Sequence, residues 1–185
     1  DAYPIDDLDE LRPGLLEGRT RVYYHFGRDT DFDLKLIGWL NRVRAQMRMG
    51  AQPPHEFLEL GHLLDEMRLF KDRDELKLMQ RAADISIEAR RAAMRAAKPG
   101  IHEYELQAEI ERVFRRHDAE PAYGSIVGAG DNACVLHYRD NRAQARDGAL
   151  VLVDAGAEYR GYAADITRTF PVNGRFSKEQ RALPE

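Results

Sequence analysis

Two aspartates carry the most chemistry that this sequence offers. Asp154 ends the apolar run Leu150-Val151-Leu152-Val153, so a strand would deliver its carboxylate into otherwise buried surroundings. A carboxylate there must be paired, hydrogen-bonded or bound to a cation. Asp165 enters the next strand candidate, between Ala164 and Ile166. With Arg160-Gly161 as the two-residue centre of a hairpin, Tyr159 faces Tyr162, Asp154 lies opposite Thr167 and Asp165 opposite Gly156. Strand side chains alternate with period two, which puts both aspartates on one face, about 7–8 Å apart on a diagonal. Two carboxylates at that reach can approach a common cation, or a pair of cations roughly 3.5–4 Å apart. Without one, the like charges would oppose each other and cost stability. A three-residue turn would shift this register. Spacing alone leaves two plainer readings open: Asp165 pairing with Arg168, and Asp154 capping a turn at Ala155-Gly156.

Other reactive residue types say less. His137 follows Cys134-Val135-Leu136 and by type alone reads as a hydrogen-bonded histidine at a strand end. A neutral imidazole can also accept or donate a proton near pH 7. Cys134 is the single cysteine, which excludes an internal disulfide framework and a thiolate zinc cluster. Within its apolar run it is expected as a buried strand residue, not a nucleophile. The glycines of GAGDN at 128–132 fit neither a Walker loop nor a dinucleotide fingerprint, and read as a turn.

Helices and strands must position these groups. In the first part, Thr20–Tyr24 is a strand candidate, followed by a helix capped by Asp31 and stopped at Gly50. Leu36, Leu40, Val43 and Met47 recur along it at the helical period. Too few neighbouring elements are evident to bury that stripe, which suggests a larger domain that has lost its beginning. A long helix then opens with the capping box Asp72…Glu75, with Leu76, Met79, Ala83 and Ile87 on its inward face, and ends at Lys98-Pro99-Gly100. A second amphipathic helix places Leu106, Ile110, Val113 and Phe114 inward, to about Asp118. From there the period changes to two, with strand candidates Tyr123–Val127, Ala133–Tyr138, Ala149–Gly156 and Tyr162–Pro171. Helix, helix, then antiparallel strands is an α+β pattern with helices on one face of the sheet.

Composition sets the outer bounds. The 185 residues are 43% hydrophobic and 32% charged, with a net charge of −4, which reads as a soluble globular chain with no nucleic-acid partner. Arg90-Arg91 and Arg115-Arg116 are expected on solvated helix faces. No apolar stretch is long enough to span a membrane, and DAYPIDDLDE resembles neither a signal nor a transit peptide, so a cytoplasmic protein is the expectation. The chain has no initiator methionine, which implies that something upstream was removed or left out.

Three stretches make the chain recognisable: DEMRLFKDRDELKLMQRA, CVLHY at 134–138, and LVLVDAGAEYRGYAADITRTFPVNGRFS. They resemble the aminopeptidase P and prolidase family of pita-bread metallopeptidases, closely over about 64–181 and more loosely before that. The resemblance implies an incomplete pita-bread (creatinase/aminopeptidase-like) catalytic domain over 69–185. It also implies the C-terminal part of an N-terminal α/β domain over 1–68. Asp154 of the DAG motif and Asp165 of the DITRTF motif are implied as ligands of two divalent ions, with Mn²⁺ the first choice. His137 of the LHY motif is implied beside the substrate, handling protons outside the metal's ligand set. His25, His55, His62, His102 and His117 match no site of the family.

The implied reaction is hydrolysis of the bond between an N-terminal residue and proline, on peptides with proline second. The family's centre also needs a histidine and two glutamates, with a further histidine beside the substrate, all from later strands. Glu179 and Glu185 lie in the tail FSKEQRALPE, which breaks its helical pattern at Leu183-Pro184 and cannot supply them. The chain alone is therefore expected to be inactive, and a complementing C-terminal segment or a homo-oligomer is a candidate partner. Two other readings remain: an Xaa-Pro dipeptidase, and a non-catalytic binding protein on the same fold.

Overall fold

In the computed structural model, which describes residues 4–182, helix α1 (Leu8–Leu16) leads into strand β1 (Arg21–Tyr24). Helix α2 (Thr30–Ala45), strand β2 (Glu56–Glu59) and helix α3 (Leu60–Leu69) follow. Contacts divide the chain into two compact units, one ending at Phe70 and the other beginning at Lys71. In the first unit β1 and β2 pair in parallel, Arg21 facing Glu56 and Tyr24 facing Glu59. Parallel neighbours need a crossover, and α2 lies within it. Its cap is Asp29, whose carboxylate accepts from Phe32 N at 3.0 Å, not the expected Asp31. Leu36, Leu40 and Val43 are buried as expected, with Trp39 beside them, while Met47 is exposed in a 3-10 turn closed by Gly50. The stripe does not lack neighbours. Leu8, Leu16, Tyr24, Phe32 and Phe57 pack against it, two of them from α1, which runs through Pro13.

The second unit begins with helix α4 (Arg73–Ala96), where Asp72 accepts from Asp74 N and Glu75 N and the Glu75 carboxylate returns a bond to Asp72 N. The box is as expected, but the buried face is not. Ala82, Ile85, Ser86, Ala89, Arg90 and Ala93 turn inward, while Leu76 and Ile87 are 54% and 40% exposed. Small side chains let this helix approach its neighbours closely, and a search for large apolar residues overlooks them. Helix α5 (Glu103–Arg116) buries Leu106, Ile110, Val113 and Phe114 as expected.

The strands that follow are β3 (Glu120–Pro121), β4 (Ile126–Ala129), β5 (Leu150–Ala155), β6 (Ala157–Tyr159), β7 (Tyr162–Ala163) and β8 (Ile166–Pro171), before the short helix α6 (Lys178–Arg181). They form two antiparallel sheets of order β3-β6-β7 and β4-β5-β8. Val127, Val151, Val153, Ala155 and Phe170 join Ile85, Ala89, Leu106, Ile110 and Phe114 in one core. Along β5 burial alternates, so Leu152 and Asp154 are only half-buried on the opposite face.

The expected strand Ala133–Tyr138 is absent. Gly130–Cys134 is a 3-10 turn, and Cys134 at its end, like Val135 and Leu136 after it, is exposed rather than buried. The turn folds back hard onto β4: a Cβ on Gly128 would stand 2.9 Å from the Asn132 carbonyl. Leu183, Pro184 and Glu185 lie outside the described residues.

Candidate metal centre

The hairpin that carries the two aspartates has the register its turn demands. Arg160 and Gly161 take φ of 50° and 85°, the left-handed pair of a tight two-residue turn. Tyr159 faces Tyr162, and Asp154 faces Thr167. Between β5 and β6 the chain passes Gly156, where a Cβ would stand 1.6 Å from the Ala164 carbonyl oxygen. Only a residue without one allows this approach. Ala164 N then donates to Ala157 O at 2.9 Å, and Asp165 is delivered just before β8.

Both carboxylates converge on one hydroxyl. Tyr123 Oη lies 2.6 Å from Asp154 Oδ1 and 2.9 Å from Asp165 Oδ1, so those two oxygens are no farther apart than the sum of the two bonds. The convergence predicted from strand alternation is present. The plainer pairing of Asp165 with Arg168 is not: Arg168 donates to the Thr167 carbonyl at 2.7 Å, and no Asp165–Arg168 ion pair occurs among the described residues. A phenol has a single proton to share between the two acceptors. Burial first, and then the hydrogen bonds to Asp154 and Asp165, push the Tyr123 pKa well above the ordinary tyrosine value. It therefore stays a neutral donor.

Behind the pair stands Arg90 of α4, 6% exposed and not on a solvated face as its sequence context suggested. Its Nη2 donates to the Ile166 carbonyl and, at 3.3 Å, to that of Ala155. These are the residues next after Asp165 and Asp154, so one guanidinium ties together the two strands that hold the carboxylates. Burial, and then the Arg168 charge, lower its pKa, while Tyr123 and Asp154 pull the other way. Nε of Arg90 has no partner among the described residues.

His137 sits on the excursion between β4 and β5, exposed, with φ of 54°. With Cys134, Leu136, Leu152, Asp154 and Thr167 it lines a cleft of about 320 Å³. The structure thus brings His137 and Asp154 to one cleft, and Asp154 and Asp165 to one hydroxyl. A hollow of about 360 Å³ lined by Asp131, Asn132, Gln144 and Arg146 contains neither aspartate.

In kind, the two carboxylates suit a hard divalent cation. In number they fall short, since among the described residues no three Asp, Glu, His or Cys side chains gather into a metal cage. Sequence reasoning missed Tyr123 and Arg90. Tyr123 carries no local signal because its partners, Asp154 and Asp165, lie far along the chain, whereas an arginine in register with Ala82, Ser86 and Ala89 could have flagged Arg90 as facing inward.

Residues 77–185 match metallopeptidase family M24. The chain belongs to that family. Over 98% of its length it is 44% identical to the Xaa-Pro aminopeptidase of Escherichia coli K12 and spans 42% of that protein. It is 39% identical to the Xaa-Pro aminopeptidase of Haemophilus influenzae, of which it spans 41%. Among solved structures, the aminopeptidase PepP of Pseudomonas aeruginosa matches 99% of this M24 chain at 55% identity with a TM-score of 0.94, over 42% of its own length. A variant of E. coli aminopeptidase P in complex with substrate matches 95% of the chain at 42% identity with a TM-score of 0.89, over 40% of its own length. The chain therefore spans less than half of each of these proteins, and its fold is that of part of the aminopeptidase P structure.

Proposed function

We propose that the whole protein is a metal-dependent Xaa-Pro aminopeptidase, and that this chain brings Asp154 and Asp165 to its metal centre. The observation that carries the reading is the meeting of those two carboxylates at the Tyr123 hydroxyl, with Asp154 opening into the cleft that His137 lines. Membership of the M24 family and the likeness to two bacterial Xaa-Pro aminopeptidases support it. Oxygen donors favour hard ions, and manganese is the first choice. Divalent ions held there would supply Lewis acidity for hydrolysis of the amide that precedes proline.

The remaining work falls to the chain's own side chains. Asp154 and Asp165 offer at most two oxygens each, and the rest of the ligand set must come from other parts of the protein, from water or from substrate. Tyr123, kept protonated, donates to both carboxylates and fixes which oxygens are turned away from it. Arg90 holds the strands beneath at constant separation. His137 offers an imidazole nitrogen to take or return a proton, beside exposed Leu136, which offers an apolar wall to a substrate side chain.

Turnover of Ala-Pro-Ala against Ala-Pro by the whole protein, reconstituted with Mn²⁺, tests the assignment. An aminopeptidase hydrolyses the tripeptide faster. Faster hydrolysis of the dipeptide would move the protein to the dipeptidases, and hydrolysis of neither would favour the non-catalytic reading.

A further inference from the structure

Glu103, the first residue of α5, has no exposed surface. Taking a charged side chain out of water is costly unless hydrogen bonds replace its hydration. Here they do. Oε1 accepts from Ala129 N at 2.8 Å and from Asn132 Nδ2 at 3.0 Å. Oε2 accepts from the Tyr138 hydroxyl at 2.8 Å and from Ala143 N at 2.9 Å.

The origin of these donors is the informative part. All of them lie in 129–143, the excursion from the end of β4 toward β5 that carries His137. Ala129 is where the chain leaves β4, and Ala143 is on the returning limb, where its carbonyl also accepts from Glu103 N at 3.0 Å. Asn132 Nδ2 also donates to Tyr138 Oη at 3.0 Å, which leaves the tyrosine proton for Glu103. The next residue back is His137, in a left-handed conformation that a residue with a Cβ keeps only where its surroundings hold it. No packing at the tip does so: Val135 and Leu136 are 54% and 84% exposed. Apart from turn bonds from Val135 N to Asn132 O and from Tyr138 N to Val135 O, the loop is held from its base.

We propose that Glu103 is a positioning residue for His137: its buried carboxylate gathers both limbs of the 129–143 loop and so fixes where the imidazole stands in the cleft beside Asp154. The inference rests on the assignment of His137 to the reaction. The carboxylate of Glu103 bonds to Ala129, Asn132, Tyr138 and Ala143 and not to Asp154 or Asp165, so it acts through the loop.

Glu103→Gln in the whole protein keeps the shape but turns an NH₂ toward two of the four donors. Three results are expected. Bound metal is unchanged. Backbone amides of 129–143 exchange deuterium faster by mass spectrometry. Finally kcat on Ala-Pro-Ala falls by about 10- to 100-fold with little change in KM, the scale of a misplaced catalytic group. A double-mutant cycle separates positioning from general damage, because groups acting as a unit are non-additive. Added to His137→Ala, Glu103→Gln should cost nothing further. An equal loss in both backgrounds, or unchanged exchange over 129–143, overturns the proposal. If Glu103→Gln does not fold, Tyr138→Phe removes one donor and is expected to give the same pattern at smaller size, with the same overturning results. Should His137→Ala alone leave turnover intact, the reading of His137 fails, while the exchange measurement still decides whether Glu103 holds the loop.

Discussion

A Cβ on Gly156 would stand 1.6 Å from the carbonyl oxygen of Ala164, 2.6 Å from its carbonyl carbon and 3.2 Å from Asp165 N. The two residues lie where the hairpin passes from one sheet to the other, between the aspartates in both directions along the chain. Their contact sets how closely the Asp154 and Asp165 backbones approach. Gly156→Ala must push backbone against backbone, with no flexible side chain to give way. We expect a loss of roughly 3 kcal/mol or more, at the upper end of what overpacking costs, read as a lower midpoint in urea unfolding. A change below about 1 kcal/mol would show that the hairpin opens easily and that this approach does not govern the site.

His137→Ala in the whole protein is expected to lower turnover of Ala-Pro-Ala by about 10²- to 10⁴-fold, the range for loss of a general acid or base. Metal content should stay near that of the parent, because the imidazole is proposed to act beside the substrate rather than as a ligand. Elemental analysis of the purified variant decides. Stoichiometric loss of metal would show that the residue has been given the wrong role.

Acid stability should report on the clasp between α4 and α5. His117 Nε2 lies 2.8 Å from Glu88 Oε2, and Arg81 Nη2 lies 3.0 Å from His117 Nδ1. The hydrogen bond from His117 holds the Glu88 pKa below the ordinary carboxylate range, and Tyr162 with the Asp72 backbone does the same for Glu75. A carboxylate whose folded pKa is depressed stabilises the fold above its unfolded pKa, near 4.3, and loses that contribution as pH falls through the folded value. The melting temperature is therefore expected to fall as pH drops below about 4.3, and less steeply in Glu88→Gln. Identical profiles for parent and variant would contradict the assignment.

What could be read beforehand was whatever depends on local pattern. The register of the aspartate hairpin follows from one two-residue turn and the period of a strand, and Asp154 does face Thr167. The capping box at Asp72 and Glu75 and the inward face of α5 are equally local. The errors arise where distant contacts override the pattern. Ala133–Tyr138 reads as a strand, yet Glu103, far back in the chain, gathers its flanks into a loop and leaves Leu136 exposed. On α4, alanine and serine form the buried face because close approach matters more there than apolar size. Tyr123 reaches both aspartates, and Arg90 the carbonyls next after them, from far back in the chain, and only the folded chain brings them together.

Asp154 and Asp165 are proposed to hold the metal on which hydrolysis depends. The most direct test is the metal content of the whole protein, measured by mass spectrometry after gel filtration, for the parent, Asp154→Asn and Asp165→Asn. Two divalent ions per parent molecule are expected, and loss of at least one ion from each variant despite an unchanged fold by circular dichroism. A full complement of metal in either variant would contradict that role.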